Sequence, residues 1–148
     1  MKHQEVKNLQ QALTALINHC IEKKVDIFHV NYGLDKNHTG LSAAVEAIDK
    51  NVSKELIELE KKSLELGKGN DQTLEVGLSL LTKKERTRHA ELMAEYNLAM
   101  QEENDLELFM LDPAKIESIK IEYPYYLILK NFLPKEIEPP VKSATEKQ

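Results

Sequence analysis

Tryptophan is absent from this chain and cysteine occurs once, as Cys20. A single thiol excludes an internal disulfide and fits a reducing compartment. Aromatic side chains are scarce, five Tyr and three Phe in 148 residues, so the core must be built largely from aliphatic residues. No proline precedes Pro113. Proline breaks helix interiors by removing a donor and clashing with the turn before it. Its absence from a stretch rich in Leu, Glu, Lys and Ala predicts helices. No apolar run approaches the roughly 20 residues that cross a bilayer, and Met1–Asn8 is polar, unlike a secretory leader. The expectation is a soluble protein of the cytoplasm with no membrane partner. Positive charge is also short, with 20 Lys and Arg against 25 Asp and Glu and a net charge of −5. Nucleic acid requires clustered Lys and Arg to displace counterions, so no nucleic-acid partner is expected.

What is present suffices for one domain. Hydrophobic residues make up 41% and charged residues 30% of the chain, a composition that buries a core and does not favour disorder. A single helical domain is expected over residues 1–134, followed by a polar, Pro-rich tail over 135–148.

Val6, Leu9, Leu13, Leu16, Ile17 and Cys20 mark one face of a helix over about residues 4–24. Ile27, Val30, Leu34, Leu41, Val45, Ile48, Val52 and Leu59 continue in steps of three, four and seven, with His38 in the same seam. That spacing predicts helix through much of 26–66, kinked near Gly33 or Gly40. A loop at 31–40 with a helix from Ser42 is the alternative, because each interior glycine costs about 1 kcal/mol. Glu46–Lys50 and Glu58–Lys62 are spaced to pair along this helix. Gly67, Gly69 and Asn70 end it. TLEVGLSLL then alternates at Leu74, Val76, Leu78 and Leu80, which predicts a short strand. Thr82-Lys83-Lys84-Glu85 reads as a capping box opening a helix to about Glu103. Its seam runs through His89, Leu92, Met93, Tyr96, Ala99 and Met100. DLELFML, 105–111, is a second strand candidate. In IEYPYYLILKNFLP, 121–134, Pro124 suits the first turn of a short helix whose stripe is Tyr125, Ile128, Leu129 and Phe132. A strand is the alternative there. The fold class expected is therefore mainly α: a long antiparallel helical hairpin, a preceding helix, a two-stranded β-hairpin or sheet, and a short C-terminal apolar helix.

Catalytic signatures are few. Glu85 and His89 lie one turn apart, but the repeated Glu-x-x-His of a di-iron bundle is missing, so no metal or other cofactor is expected. Cys20 sits among apolar positions, as a buried structural thiol does. GKGND lacks the spacing of a phosphate loop, and no Gly-x-Ser-x-Gly elbow occurs. The reading is non-enzymatic.

Two clusters stand out as candidate contact residues. Tyr123, Tyr125, Tyr126 and Phe132 hold half of the aromatics of the chain; they either cap the core or form a docking surface. Lys83, Arg86 and Arg88 crowd the start of a helix, where positive charge opposes the helix dipole. Either an antiparallel neighbour carrying Glu55, Glu58, Glu60 and Glu65 offsets them, or an acidic partner does.

The order of parts resembles a group of short, uncharacterised proteins encoded by tailed bacteriophages and prophages. There a helix carrying Glu-x-x-x-Leu-Leu-x-x-Glu leads into an alternating strand and a short terminal helix. Ala90-Glu91-Leu92-Met93-Ala94-Glu95 and Glu122–Leu133 carry the likeness, which spans residues 25–134 in pattern; the Tyr-rich ending departs from the usual polar one. The resemblance implies no activity and no site residues. It points to a virion component or assembly factor working through protein contacts in the host cytoplasm or in the virion. Its partners would be a second copy or another viral or host protein, in a homo-oligomer or a hetero-complex. A small inhibitor of a host or defence protein is the alternative, and an enzyme on a helical scaffold a third.

Overall fold

The computed structural model describes residues 1–68 and 74–134. The expected tail, 135–148, and the Gly69-Asn70 part of the expected helix stop lie outside the described residues. Among the described residues seven α-helices follow one another: α1 (His3–Lys23), α2 (Asn31–Asp49), α3 (Lys54–Leu66), α4 (Leu74–Ser79), α5 (Lys83–Ala99), α6 (Pro113–Ile116) and α7 (Tyr123–Leu129). Short 3-10 turns precede α2 at Phe28–Val30 and follow α7 at Lys130–Phe132. The chain divides into two compact units, one of Met1–Gln4 with Glu46–Asn104, the other of Glu5–Val45 with Asp105–Gln148.

In the first unit α3 packs on α4 and on α5. Ser53 caps α3 by accepting from the Leu56 amide at 3.3 Å. Thr82 and Glu85 form the expected capping box on α5. Two ion pairs mark the antiparallel arrangement of α3 and α5. Glu55 at the start of α3 meets Arg88, and Lys62 near its end meets Glu85 at the start of α5. The first residues of the chain run back along 100–104. His3 and Gln4 donate their amides to the carbonyls of Glu102 and Met100 at 2.9 and 3.0 Å, so orphan donors of one helix start meet orphan acceptors of a helix end.

In the second unit Val6, Leu13, Leu16 and Cys20 are the buried stripe of α1, as the spacing predicted. Val30, Leu34 and Leu41 are buried on the α2 side, with Leu111, Ile116, Leu129 and Phe132 from the C-terminal segment. Burial pushes the Cys20 thiol up from its ordinary value. Lys24, at φ 55°, takes the left-handed turn that closes α1 and lets the Val25 amide reach the Cys20 carbonyl at 2.9 Å. His38 lies beside Thr14, with Nε2 3.1 Å from Oγ1. The Thr14 hydroxyl already donates to the Gln10 carbonyl at 2.9 Å, so His38 donates from Nε2.

Three expectations are corrected. No β-strand exists among the described residues, so the two-stranded β element is overturned. Residues 74–79 are helical because α4 lies hard against α3: a Cβ on Gly77 would overlap the Ser63 carbonyl. Leu80, the last member of the supposed apolar face, is exposed. DLELFML carries no strand pairing. It lies on α2 at Gly33, Asn37 and Gly40, one helical face, with Leu111 against the first, Phe109 bonded to the second and Leu106 near the third. The long 26–66 helix is two helices, interrupted at 50–53 where Ser53 starts a new cap. Helix does continue through Gly33 and Gly40, so the loop alternative for 31–40 falls. These glycines admit the side chains of Leu111 and Leu106.

Candidate functional site

The basic cluster is engaged within its own unit. Arg88 forks onto Glu55, with Nε and Nη2 each 2.9 Å from a carboxylate oxygen, and reaches Glu91 from Nη1 at 3.2 Å. Arg86 donates from Nη1 to the Leu81 carbonyl at 2.5 Å and to that of Ser79 at 3.4 Å. It thus satisfies acceptors left over where α4 ends. Lys83 is exposed. Glu85 binds Lys62 at 2.6 Å and the Thr82 amide at 3.1 Å, whereas His89 turns to Glu60 at 3.3 Å. The two residues one turn apart therefore face different partners. At the far end of α5, Glu103 accepts from the Met1 amino group at 3.1 Å. Arg88 and Glu103, two of the charges that oppose the dipole of α5, are offset by neighbours in this unit.

The hydrogen bond from Arg88, opposed by slight burial and helped by the guanidinium charge, holds the Glu55 carboxyl below its ordinary 4.5. The bond from Lys62, then that from the Thr82 amide, does the same for Glu85. A carboxylate depressed in the folded state contributes stability above its ordinary value and loses it as pH falls through the folded one. Replacing Arg88 by Gln is therefore expected to lower the urea midpoint at pH 7 and to matter progressively less as pH drops below 4.5. Equilibrium unfolding of both proteins across that range checks it. A constant difference would show that Arg88 acts by packing its stem.

A cleft of about 400 Å³ also opens in this unit. Ile48, Val52, Leu56 and Leu92 form apolar wall, and His3, Glu95 and Tyr96 supply polar groups. His3 Nδ1 is 3.2 Å from the Asn104 amide nitrogen, which fixes the ring to the chain beside it.

The aromatic stretch 123–132 is divided between roles. Phe132 is fully buried, and its carbonyl accepts from the Leu111 amide at 2.7 Å. Tyr125 stacks on His19, centroids 3.8 Å apart and planes 10° off parallel. Tyr126 is partly buried. Tyr123 and Leu127 are exposed on α7. Pro124 lies in the first turn, as expected.

A second aromatic group, which sequence reasoning did not single out, is more open to solvent. Tyr32 of α2 and Phe109 are 70% and 37% exposed, and their rings meet edge to face at 5.7 Å. Lys36, one turn beyond Tyr32, sets its Nζ 5.9 Å from the Tyr32 centroid and 5.5 Å from that of Phe109, within cation–π range. Phe28, just before α2, is 79% exposed. Phe109 is held from beneath. Asn37, 4% exposed, donates from Nδ2 to the Phe109 carbonyl at 2.8 Å and accepts its amide at 2.7 Å on Oδ1. No protein-family model, curated protein or solved structure matches this chain. The geometry therefore carries the functional reading. Tyr32 and Phe109 form an apolar contact with the Lys36 ammonium within reach of both rings. Only the spacing of Phe28, Tyr32 and Lys36 signalled it in the sequence; nothing local tied Phe109 to them. No helix among the described residues is long and apolar enough to cross a membrane.

Proposed function

We propose that this chain is a non-enzymatic interaction protein, a structural or assembly component of tailed-phage type, which works through exposed aromatic surface in its second unit. The observation that supports this is the Tyr32–Phe109 pair, held at 5.7 Å and left open to solvent with Lys36 across both rings. Solvent-exposed aromatics on a fixed backbone are the usual anchors of protein interfaces, since they contribute large area at small entropic cost. Tyr123 and Leu127 on α7 are further exposed contact candidates, in the stretch singled out from sequence. Tyr125, Tyr126 and Phe132 support it from inside. On this reading Arg86 and Arg88 shape the first unit and Lys83 remains for an acidic partner. The partner is a protein, a second copy or another viral or host component, met in the host cytoplasm or in the virion.

The test is photo-crosslinking in the producing cell, with a benzophenone amino acid in place of Tyr32 and, as control, in place of the exposed Glu22 of α1. A discrete adduct at position 32 and none at position 22 is expected. Equal, diffuse labelling at both positions, in variants that keep their helical signal, would overturn the reading. A discrete adduct with one host defence protein would replace assembly by inhibition.

A further inference from the structure

We propose that the backbone edge at Leu108–Met110 pairs antiparallel with the same edge of a second copy, about a two-fold axis at Phe109. This deepens the reading above, from a protein-contact surface to a partner and a register.

The argument starts from Asn37. Its one side-chain amide binds both the N–H and the C=O of Phe109, at 2.7 and 2.8 Å. Both groups of a residue point to the same side only in extended backbone, as in a strand. Across a trans peptide the C=O and the following N–H point opposite ways, and no cis bond occurs among the described residues. The Leu108 carbonyl and the Met110 amide therefore point away from α2. Neither has a hydrogen-bond partner among the described residues. Leu111 donates its amide to Phe132, so groups on the inner side are engaged while the outer ones are open. Met110 is 43% exposed and Leu108 half-buried, so this stretch of the segment lies at the surface. An open edge of this kind is a template for strand addition.

The open groups are self-complementary. With Phe109 opposite Phe109 of the second copy, each Met110 amide meets the Leu108 carbonyl of the other, and two equivalent bonds close an isologous pair. In that register Glu107 faces Leu111, Asp105 faces Pro113 and Asp112 faces Leu106. No acid faces an acid, so the arrangement avoids opposing like charges. The two Phe109 side chains share one face, with Cα atoms about 4.5 Å apart as in any non-hydrogen-bonded pair. The edge-to-face contact with Tyr32 then continues across the axis. Tyr32, Phe109 and Met110 present roughly 300 Å² at about 200 Å² per full side chain, against the ~800 Å² per partner of a standard interface. An interface this small is expected to be weak.

Sedimentation equilibrium of the full chain, from about 5 μM to about 1 mM to bracket a weak interface, tests this. A reversible monomer–dimer equilibrium is expected. Met110→Pro deletes the donor, and the extended Phe109 before it already suits a following proline. It should weaken association at least tenfold with the helical signal unchanged. Met110→Ala keeps the donor and should stay within about threefold of the parent. A strict monomer throughout overturns the proposal. So does Met110→Pro associating like the parent; in that case side chains alone would make the contact, and the protein-contact reading would stand. If Met110→Pro fails to fold, amide exchange of the unaltered chain decides. Exchange at Met110 that slows with concentration is expected. Exchange independent of concentration overturns the pairing, as does protection at Met110 in the monomer, since the edge would then be covered within one chain.

Discussion

Replacing Asn37 by Ala is expected to lower the unfolding free energy by about 2–3 kcal/mol. Two hydrogen bonds, each a net contribution of about 1 kcal/mol, disappear together. The Phe109 amide and carbonyl they served are left facing α2 without a partner. A fully buried orphan pair would cost more. Here a cleft of about 340 Å³, lined by Lys36, Asn37, Gly40 and Leu106, lets water reach the site, which holds the loss to the lower part of the range. Asn37→Asp should not rescue stability. It keeps an acceptor for the Phe109 amide but turns a carboxylate oxygen toward the Phe109 carbonyl. Urea unfolding of the three proteins measures this. The variant should also lose whatever association the chain shows, because Asn37 is what holds Phe109 extended. A cost under about 0.5 kcal/mol, the size of an ordinary surface substitution, would mean that Asn37 does not fasten the segment.

How much of this could be read beforehand differs by element. α1 was legible because its buried stripe is purely local, and the start of α5 because Thr82 and Glu85 carry the whole capping box within four residues. The strand reading of TLEVGLSLL rests on alternation, and alternation names a face only where a second strand exists to share it. Val76, Leu78 and Leu80 had none; the contact that sets their conformation, Gly77 on Ser63, joins residues that no local pattern connects. DLELFML reads as a strand, but the residue in it whose N–H and C=O are both paired, Phe109, has one side chain of a helix as its partner. Gly33, Asn37 and Gly40, spaced four and three, were the available signal. The two glycines read as a cost to the helix, but two small residues and an amide on one face also describe a track for another chain segment. The candidate site shows the same limit. Clustering in sequence draws notice to residues 123–132, whose most buried ring, Phe132, is core, whereas the open Tyr32–Phe109 pair is assembled by tertiary packing alone.

Gly77→Ala should be the most damaging small substitution in the first unit, costing about 3 kcal/mol or more. Helix propensity argues the other way, since Ala exceeds Gly by about 1 kcal/mol in a helix interior. Packing decides the sign. A Cβ at position 77 would overlap the carbonyl oxygen and carbon of Ser63, backbone atoms that no rotamer change can move aside. That carbonyl already accepts the Gly67 amide at 2.9 Å in the last turn of α3, so tilting it away breaks a second interaction. Ser63 is itself fully buried, with its hydroxyl donating to the Leu59 carbonyl at 2.8 Å. The remaining response is for α4 to lift from α3, which exposes apolar surface and leaves the Ser79 and Leu81 carbonyls, both bound by Arg86, displaced from their donor. A fall in Tm of about 10 °C corresponds to a loss of this size in a chain this long. Gly40→Ala supplies the contrast: a Cβ there meets only Leu106 Cδ1 at 3.6 Å, an ordinary contact. Propensity then acts unopposed and that variant should gain up to about 1 kcal/mol. Calorimetry on the two variants separates the effects. If both shift Tm upward together, α4 does not rest on α3 through Gly77, and the close approach that makes residues 74–79 helical is wrong.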